Sequence, residues 1–324
     1  MPHEVLWILV RVFVGYCFAN IDVVLESWLA DRAEAGERGK LLSIYRLVDL
    51  LSLGMGQLLI ANATPTEFTL FAFVAILVSI AVIVVSVSVA PTPSPPERVT
   101  VRFTYVYKIA PLAIVAAALH GVGSGIYWGF APVFASGIAD DLSMAGIILA
   151  ATLVGAAAAQ YPVGWACDRY DRRILLIFAS LLAAVSSGLV ATASFYFTDM
   201  TVFAMFLFGA TTFTIYPIAM TYAFDRSEPE NFVEVGAAIL VAYGLGAFIG
   251  PLLAPAALHF GNHSGAFVLI GVFYFAVFVF ALYRKSQTED VPQEDTVEYI
   301  PVPPTTPVTL EIDPRVDDGD HSDA

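Results

Sequence analysis

Residues 68–90 read FTLFAFVAILVSIAVIVVSVSVA, and none of them is charged. A helix rises about 1.5 Å per residue, so this stretch is long enough to cross the roughly 30 Å of hydrocarbon in a bilayer. In hydrocarbon such a segment must be a helix, because a helix pairs its own backbone groups. The stretch therefore predicts a transmembrane helix, and the rest of the chain decides how many others accompany it.

The composition extends this prediction to most of the chain. Of 324 residues, 58% are hydrophobic and 14% are charged, which is too apolar for the surface of a soluble domain. We predict an all-α integral membrane protein with nine transmembrane helices. The nine predicted spans are 5–30, 41–61, 68–90, 109–135, 143–166, 174–194, 200–224, 233–257 and 265–284.

Lys and Arg are distributed unevenly between the connecting loops. They occur in alternate loops and just after the last span, whereas the intervening loops near 62–67, 136–142, 197–200 and 259–265 contain neither residue. Cytoplasmic loops carry the excess of basic residues. With nine spans, this asymmetry predicts a multi-pass protein of the inner (plasma) membrane with the N-terminus outside and the C-terminus in the cytoplasm.

The chain also matches itself when it is shifted by 194 residues. This offset aligns Gly15 with Gly209 and Gly56 with Gly250, and it superposes the first three spans on the last three. Two parallel six-helix halves, related by an axis along the membrane normal, give such a repeat. Three further spans precede the second copy, so we expect the nine spans to be helices four to twelve of a twelve-helix pattern that lacks its first three.

This repeat divides the chain into four parts. Residues 1–90 are predicted to be the remnant of an N-terminal half, and 91–108 a Pro-rich, basic linker in the cytoplasm. Residues 109–285 form the complete C-terminal six-helix half. The last part, 286–324, is acidic, rich in Pro and without periodicity, which predicts a disordered tail.

Several short motifs resemble those of one transporter family. They are Arg11–Gly15 (RVFVG), Glu26–Leu29 (ESWL), Gly164–Arg173 (GWACDRYDRR), Ile215–Met220 (IYPIAM) and Gly246–Pro251 (GAFIGP). Together they resemble the major facilitator superfamily, and within it the YcaD-like branch of bacterial permeases. This resemblance implies a permease that moves a small solute by alternating access, driven by an ion gradient such as that of protons.

The resemblance also assigns roles to two of these motifs. Gly164, Asp168, Arg169, Arg172 and Arg173 match a loop motif that would latch one state of the transport cycle, with Asp168 against the N-terminal end of the helix that begins near residue 232. The same basic residues would also set topology through the positive-inside rule. The remaining matches, Gly246, Gly250 and Pro251, would permit helix bending, and close helix packing is a compatible role.

Charges inside a membrane helix are costly and usually have a partner, so each is a functional candidate. At 100° per residue Arg11, Asp22 and Glu26 share one stripe of the first helix, which we expect to face a cavity. Arg11 would bind an anionic group of the substrate or a buried carboxylate. Asp22 and Glu26 are predicted to lie opposite Arg46 and Asp49 of the second helix, as either an ion-paired gate or a static tie between helices.

Uncharged polar residues supply the other candidates. His120 and Tyr127 share a helix face, and His120 would either transfer protons or form a hydrogen bond in the packed interior. Gln160 is a weaker candidate for contacting substrate. No metal spacing, cofactor motif, nucleic-acid patch or catalytic constellation occurs, so we expect no enzyme, no cofactor and no nucleic-acid partner. The expected partners are a small solute, a coupling ion and membrane lipid; a non-transporting remnant or sensor on the same scaffold is the alternative.

Overall fold

The computed structural model describes residues 2–32, 38–61, 68–87, 101–139, 141–196, 198–228, 231–261, 264–287 and 299. Within α1 the side chain of Glu26 lies outside the described part. Eleven helices and no strand occur in these ranges, which confirms the all-α prediction. The helices are α1 (Pro2–Arg32), α2 (Arg38–Ala61), α3 (Phe68–Val87), α4 (Phe103–Ile109), α5 (Pro111–Ile138), α6 (Leu142–Cys167), α7 (Arg172–Tyr196), α8 (Thr198–Thr212), α9 (Ile215–Phe224), α10 (Phe232–Gly261) and α11 (Gly265–Lys285).

Eight segments of the described chain are long and apolar enough to cross a membrane. They correspond to eight of the nine predicted spans. The remaining predicted span, 41–61, forms α2, whose 24 residues would extend about 36 Å. One short helix, α4, lies at the end of the predicted linker and joins α5 through Ala110.

The predicted span 200–224 is interrupted, because α8 ends at Thr212 and α9 begins only at Ile215. Pro217 lies in the first turn of α9 and has no backbone N–H, so it cannot donate to the carbonyl of Phe213. Phe213 and Thr214 form the turn between the two helices. Within the span 200–224 the single continuous helix predicted from the sequence is therefore corrected to two helices joined by a two-residue turn.

Glycines allow the closest helix contacts of the C-terminal half. A Cβ on Gly121 of α5 would collide with the carbonyl oxygen of Tyr243 on α10, and one on Gly246 would collide with that of Ala118 on α5. On the other side of the bundle, Gly209 of α8 meets the backbone of α6 in the same way. Small residues let membrane helices approach until their backbones touch, which maximises van der Waals contact.

Of the first three helices, α2 makes the main contact with the C-terminal half. Leu50 of α2 is fully buried against Leu153 and Ala156 of α6. In contrast, the membrane windows of α1 and α3 contain no buried residue among those described. Gly15 and Gly56 also have nothing within 4 Å of an added Cβ. The two halves of the repeat therefore differ in packing, since the partners of Gly15 and Gly56 under the 194-residue offset, Gly209 and Gly250, touch neighbouring backbones.

Candidate functional site: a central cavity

A cavity of 350 Å³ lies between the first helices and the C-terminal half. Phe18 and Asp22 of α1 and five residues of α2 form one wall. The opposite wall comes from α5, the α8–α9 junction, α10 and α11. The volume is in the usual range for a small-molecule site. Because each wall belongs to a different part of the repeat, a shift of one part against the other would change access to the cavity.

Aromatic side chains dominate the lining. Nine of its eighteen residues are Phe, Tyr or Trp, so ring surface forms most of the wall. They are Phe18, Tyr45, Tyr127, Trp128, Phe208, Phe213, Tyr216, Tyr243 and Tyr274.

Three of the described lining residues are charged. Arg46 and Asp49 are one helical turn apart on α2, and Arg46 Nη1 donates to Asp49 Oδ2 at 2.6 Å. Asp22 of α1 lines the same cavity. The sequence placed Asp22 opposite these two residues, and all three do meet at one cavity. The closest ion pair, however, forms within α2 and not between α1 and α2.

His120 joins three helices of the C-terminal half. Its Nδ1 lies 3.0 Å from the hydroxyl of Tyr274 on α11, and its ring centroid lies 5.6 Å from that of Tyr243 on α10 and 6.5 Å from that of Tyr216 on α9. Tyr243 in turn shares a hydrogen bond of 2.8 Å with Ser124 of α5. His120 with Tyr274 and Ser124 with Tyr243 thus form two hydrogen-bonded pairs in this cluster, as a low-dielectric interior favours. His120 is both packed and exposed to the cavity.

Tyr127 lies two helical turns beyond His120 on the same face of α5, as its spacing predicted. Its ring lies 5.5 Å from that of Phe208 and 6.2 Å, edge to face, from that of Phe213. Trp128 completes this group at 5.2 Å from Tyr127. The second aromatic group therefore lies beside the α8–α9 junction.

Two predicted candidates lie away from the cavity. Arg11 is on an exposed face of α1, with its guanidinium carbon 5.4 Å from the ring centroid of Trp7. The predicted cavity-facing stripe of α1 is therefore divided, because Asp22 reaches the cavity and Arg11 does not. Gln160 of α6 also does not line it; its Oε1 is buried without a hydrogen-bond partner among the described residues.

The motif at 164–173 forms a compact polar cluster at the end of α6. Arg172 and Arg173 are 3% and 1% exposed, and Arg172 Nη1 donates to Asp225 at the end of α9. Arg173 Nη2 donates to Asp171 Oδ2 at 3.0 Å. Arg169 places its guanidinium 4.3 Å above the ring of Trp165. Arg172 therefore ties α7 to the end of α9, whereas these contacts of Arg173 and Arg169 lie within the motif itself.

Asp168 of the same motif receives a contact from the C-terminal stretch. The backbone N–H of Tyr299 donates to Asp168 Oδ1 at 2.9 Å. Tyr299 is only 8% exposed, and its ring covers Gly164, where an added Cβ would lie 2.9 Å from Cδ1. Burial, and then the nearby Cys167, raise the pKa of the Tyr299 hydroxyl well above its ordinary value. The disordered tail predicted from the sequence therefore includes one residue that is packed into the core.

The three residues of the predicted bending motif face α5. Gly246 and Gly250 contact the backbone of α5, whereas Pro251 packs beside Gly129. Pro251 leaves the carbonyl of Ala247 without its helical donor, and that carbonyl faces Gly125 of α5. All three residues therefore lie at close contacts between helices, and close packing was one of the two roles predicted for them from the sequence.

Sequence reasoning missed several residues of the cavity, including Phe18, Tyr45, Tyr243 and Tyr274. One available signal was the tyrosine hydroxyl: a tyrosine in the middle of an apolar span needs a polar partner or water. Tyr243 and Tyr274 are such tyrosines, and each bonds a polar residue of α5. The spacing of one helix cannot show which other helix supplies that partner.

Two apposed helical groups around an aromatic cavity define a multi-pass membrane protein of the transporter class. The sequence model described as Major Facilitator Superfamily matches residues 113–312. The chain belongs to the major facilitator superfamily, as its motifs predicted.

Curated relatives extend this similarity to the first helices. The uncharacterized MFS-type transporter YcaD of Escherichia fergusonii is 24% identical over 286 residues, which are 87% of this chain and 72% of the relative. An uncharacterized MFS-type transporter of Yersinia pestis is 28% identical over 297 residues, which are 88% and 74% of the two chains. A third, from Enterobacter sp. (strain 638), is 26% identical over 294 residues, or 88% and 74%. No solved structure matches.

Proposed function

We propose that this protein is a secondary transporter that moves a small solute by alternating access through the central cavity, coupled to protons. The cavity itself carries the proposal, because it is enclosed by both parts of the repeat and is lined by charged groups. Ionisable residues at membrane depth mark substrate and ion pathways. Membership of the superfamily supports solute transport as the general activity.

The described charges suggest where coupling would occur. Asp49 is held by Arg46, whereas Asp22 faces the cavity from a separate helix. A carboxylate in that position can take up a proton from one side and release it to the other when access alternates. We therefore assign proton exchange to Asp22. The Arg46–Asp49 ion pair would remain an electrically neutral part of the cavity wall.

The 164–173 cluster would act at one end of this pathway. Arg172 joins α7 to the end of α9, and Arg173 bonds Asp171 just before α7, so this end of the C-terminal half can move as one body. The distribution of basic loops supports placing this end in the cytoplasm of a plasma-membrane protein. The motif would then contribute to gating by keeping that end intact.

Transport can be tested in proteoliposomes that contain a pH-sensitive dye. A panel of sugars, amino acids, organic acids and amines is added outside, and the solute that moves protons in the wild-type protein is followed with a radiolabel. We expect Asp22→Asn to lose the proton movement that accompanies transport of the labelled solute. Glu4→Gln, an exposed acidic residue of the same helix, is the matched control.

Two results would contradict the proposal. Proton movement that is equal in the wild-type protein and in Asp22→Asn would remove the coupling role. Solutes that bind but are not moved, in either direction and with either sign of proton gradient, would favour a sensor built on this scaffold.

A further inference from the structure

We propose that the occupant of the central cavity is a small organic cation with an aromatic or apolar body. This inference rests on the transport function proposed above and adds the chemical class of the solute. Three properties of the cavity support it: the charge of the lining, its aromatic side chains and its volume.

The charge of the described lining favours a cation. Arg46 and Asp49 compensate one another at 2.6 Å, which leaves Asp22 as the excess charge among the described lining residues. An anion would have to compete with Asp49 for Arg46 and would also be repelled by Asp22. A cation gains attraction from Asp22 without breaking the pair. In a cavity walled by protein, where charges are screened less than in bulk water, such a difference in charge selects the ligand.

The rings favour the same ligand independently. The face of a tyrosine, tryptophan or phenylalanine ring attracts a cation through its quadrupole, and the attraction grows when the site is desolvated. Tyr45 and Phe18 lie in the wall that contains Asp22, and the other rings face them across the cavity. The same rings offer apolar surface to the body of the solute, which a fully hydrated ion such as Na⁺ could not use.

The volume limits the size of the solute. A cavity of 350 Å³ lies near the lower end of the range of about 300–1,000 Å³ that is usual for small-molecule sites. A solute smaller than a typical drug molecule is therefore expected. A phenyl ring joined to a quaternary ammonium group has this size.

A series of probes that share a phenyl ring and differ in charge tests the inference. Phenethyltrimethylammonium, 2-phenylethanol and 3-phenylpropionate are titrated into the purified full chain, and binding is measured by calorimetry. We expect the cation to bind at least about tenfold tighter than the other two. Asp22→Asn should remove this preference, Asp22→Glu should retain it, and Glu4→Gln should leave it unchanged.

The results separate this inference from the proposed function. Equal or tighter binding of the neutral or anionic probe, no binding of any of the three, or an unchanged cation affinity in Asp22→Asn would overturn the cation assignment. Radiolabelled cation that binds through Asp22 but is not exchanged across proteoliposomes would leave the assignment intact and overturn transport. Exchange of a neutral or anionic solute would leave transport intact and overturn the cation assignment.

A second inference comes from a different place, the contact between Tyr299 and the end of α6. The geometry points to Tyr299 as a latch that covers Cys167 and Asp168 at the end of α6. The ring lies on Gly164 and the backbone N–H donates to Asp168, so two separate contacts hold this residue. Cys167 is buried beside them and has a free thiol.

Gly164 explains why the latch fits. Any larger residue at position 164 would bring its Cβ within 2.9 Å of the ring of Tyr299. A glycine thus provides the surface for the ring, while Asp168 provides the hydrogen-bond acceptor one helical turn later. Because both belong to the motif at 164–173, release of Tyr299 would expose the end of α6 and its acidic side chain.

Thiol labelling tests the latch without any knowledge of the solute. In a Cys17→Ser background, the rate of Cys167 modification by N-ethylmaleimide is measured by mass spectrometry. We expect Tyr299→Ala, and independently removal of residues 288–324, to raise this rate several-fold. Tyr299→Phe should label at or below the rate of the parent, because the hydroxyl has no described partner. Parental rates in both Tyr299→Ala and the shortened chain would overturn the latch.

Discussion

Replacing Asp225 with asparagine should strongly destabilise the C-terminal half. Arg172 and Asp225 form an ion pair whose side chains are 2% and 4% exposed. Breaking a buried ion pair by removing one of its partners costs about 3–5 kcal/mol. We therefore expect Asp225→Asn and Arg172→Met each to lower the free energy of unfolding by about that amount.

The double variant Arg172→Met/Asp225→Leu should be far less destabilised than the sum of the single variants, because both charges of the pair are then removed together. Unfolding in mixed detergent–SDS micelles gives the free energies. The matched control is Arg102→Gln, which removes a pair with Glu234 at 3.3 Å in which Arg102 is 55% exposed. Such an exposed pair contributes about 0–1 kcal/mol. Single variants at the Arg172 site that lose no more than Arg102→Gln would refute this reasoning.

Three other substitutions test different interactions, all by the same unfolding measurement. Asp141→Ala removes the side chain that caps the N-terminus of α6 and should cost about 1 kcal/mol, whereas Asp141→Asn should cost less. Gly209→Val places a side chain against the carbonyl of Thr152 and should cost at least about 1–3 kcal/mol, and wild-type stability would show that the α6–α8 contact is looser than described. Tyr274→Phe leaves His120 without its hydroxyl partner and should cost about 1–3 kcal/mol, while a neutral result would indicate that water replaces the hydroxyl.

The membrane class and the family were predictable because their signals are local. An apolar run such as 68–90 must be a helix in lipid whatever surrounds it. The motif at 164–173 and the glycines of α10 likewise keep their spacing in any conformation of the rest of the chain. The family match and the relatives confirm this prediction.

The candidate site was predictable only in part. The spacing of residues along a helix shows which of them share a face, but the neighbouring helices decide what that face points toward. His120 and Tyr127 were correctly grouped because seven residues return a helix to the same face. Arg11 and Asp22 were grouped by the same argument, yet only Asp22 lines the cavity. The sequence of one helix does not show how that helix is rotated relative to its neighbours.

The sequence by itself determined that this chain crosses a membrane many times as helices, and which of its motifs resemble a transporter family. Only the tertiary structure decided that rings from several helices enclose one cavity, that Arg172 meets Asp225, and that Tyr299 covers Gly164. Arg172 and Asp225 are 53 residues apart, and Tyr299 and Asp168 are 131 apart. Such contacts depend on how whole helices pack, whereas a transmembrane span depends on the solvation of its own residues.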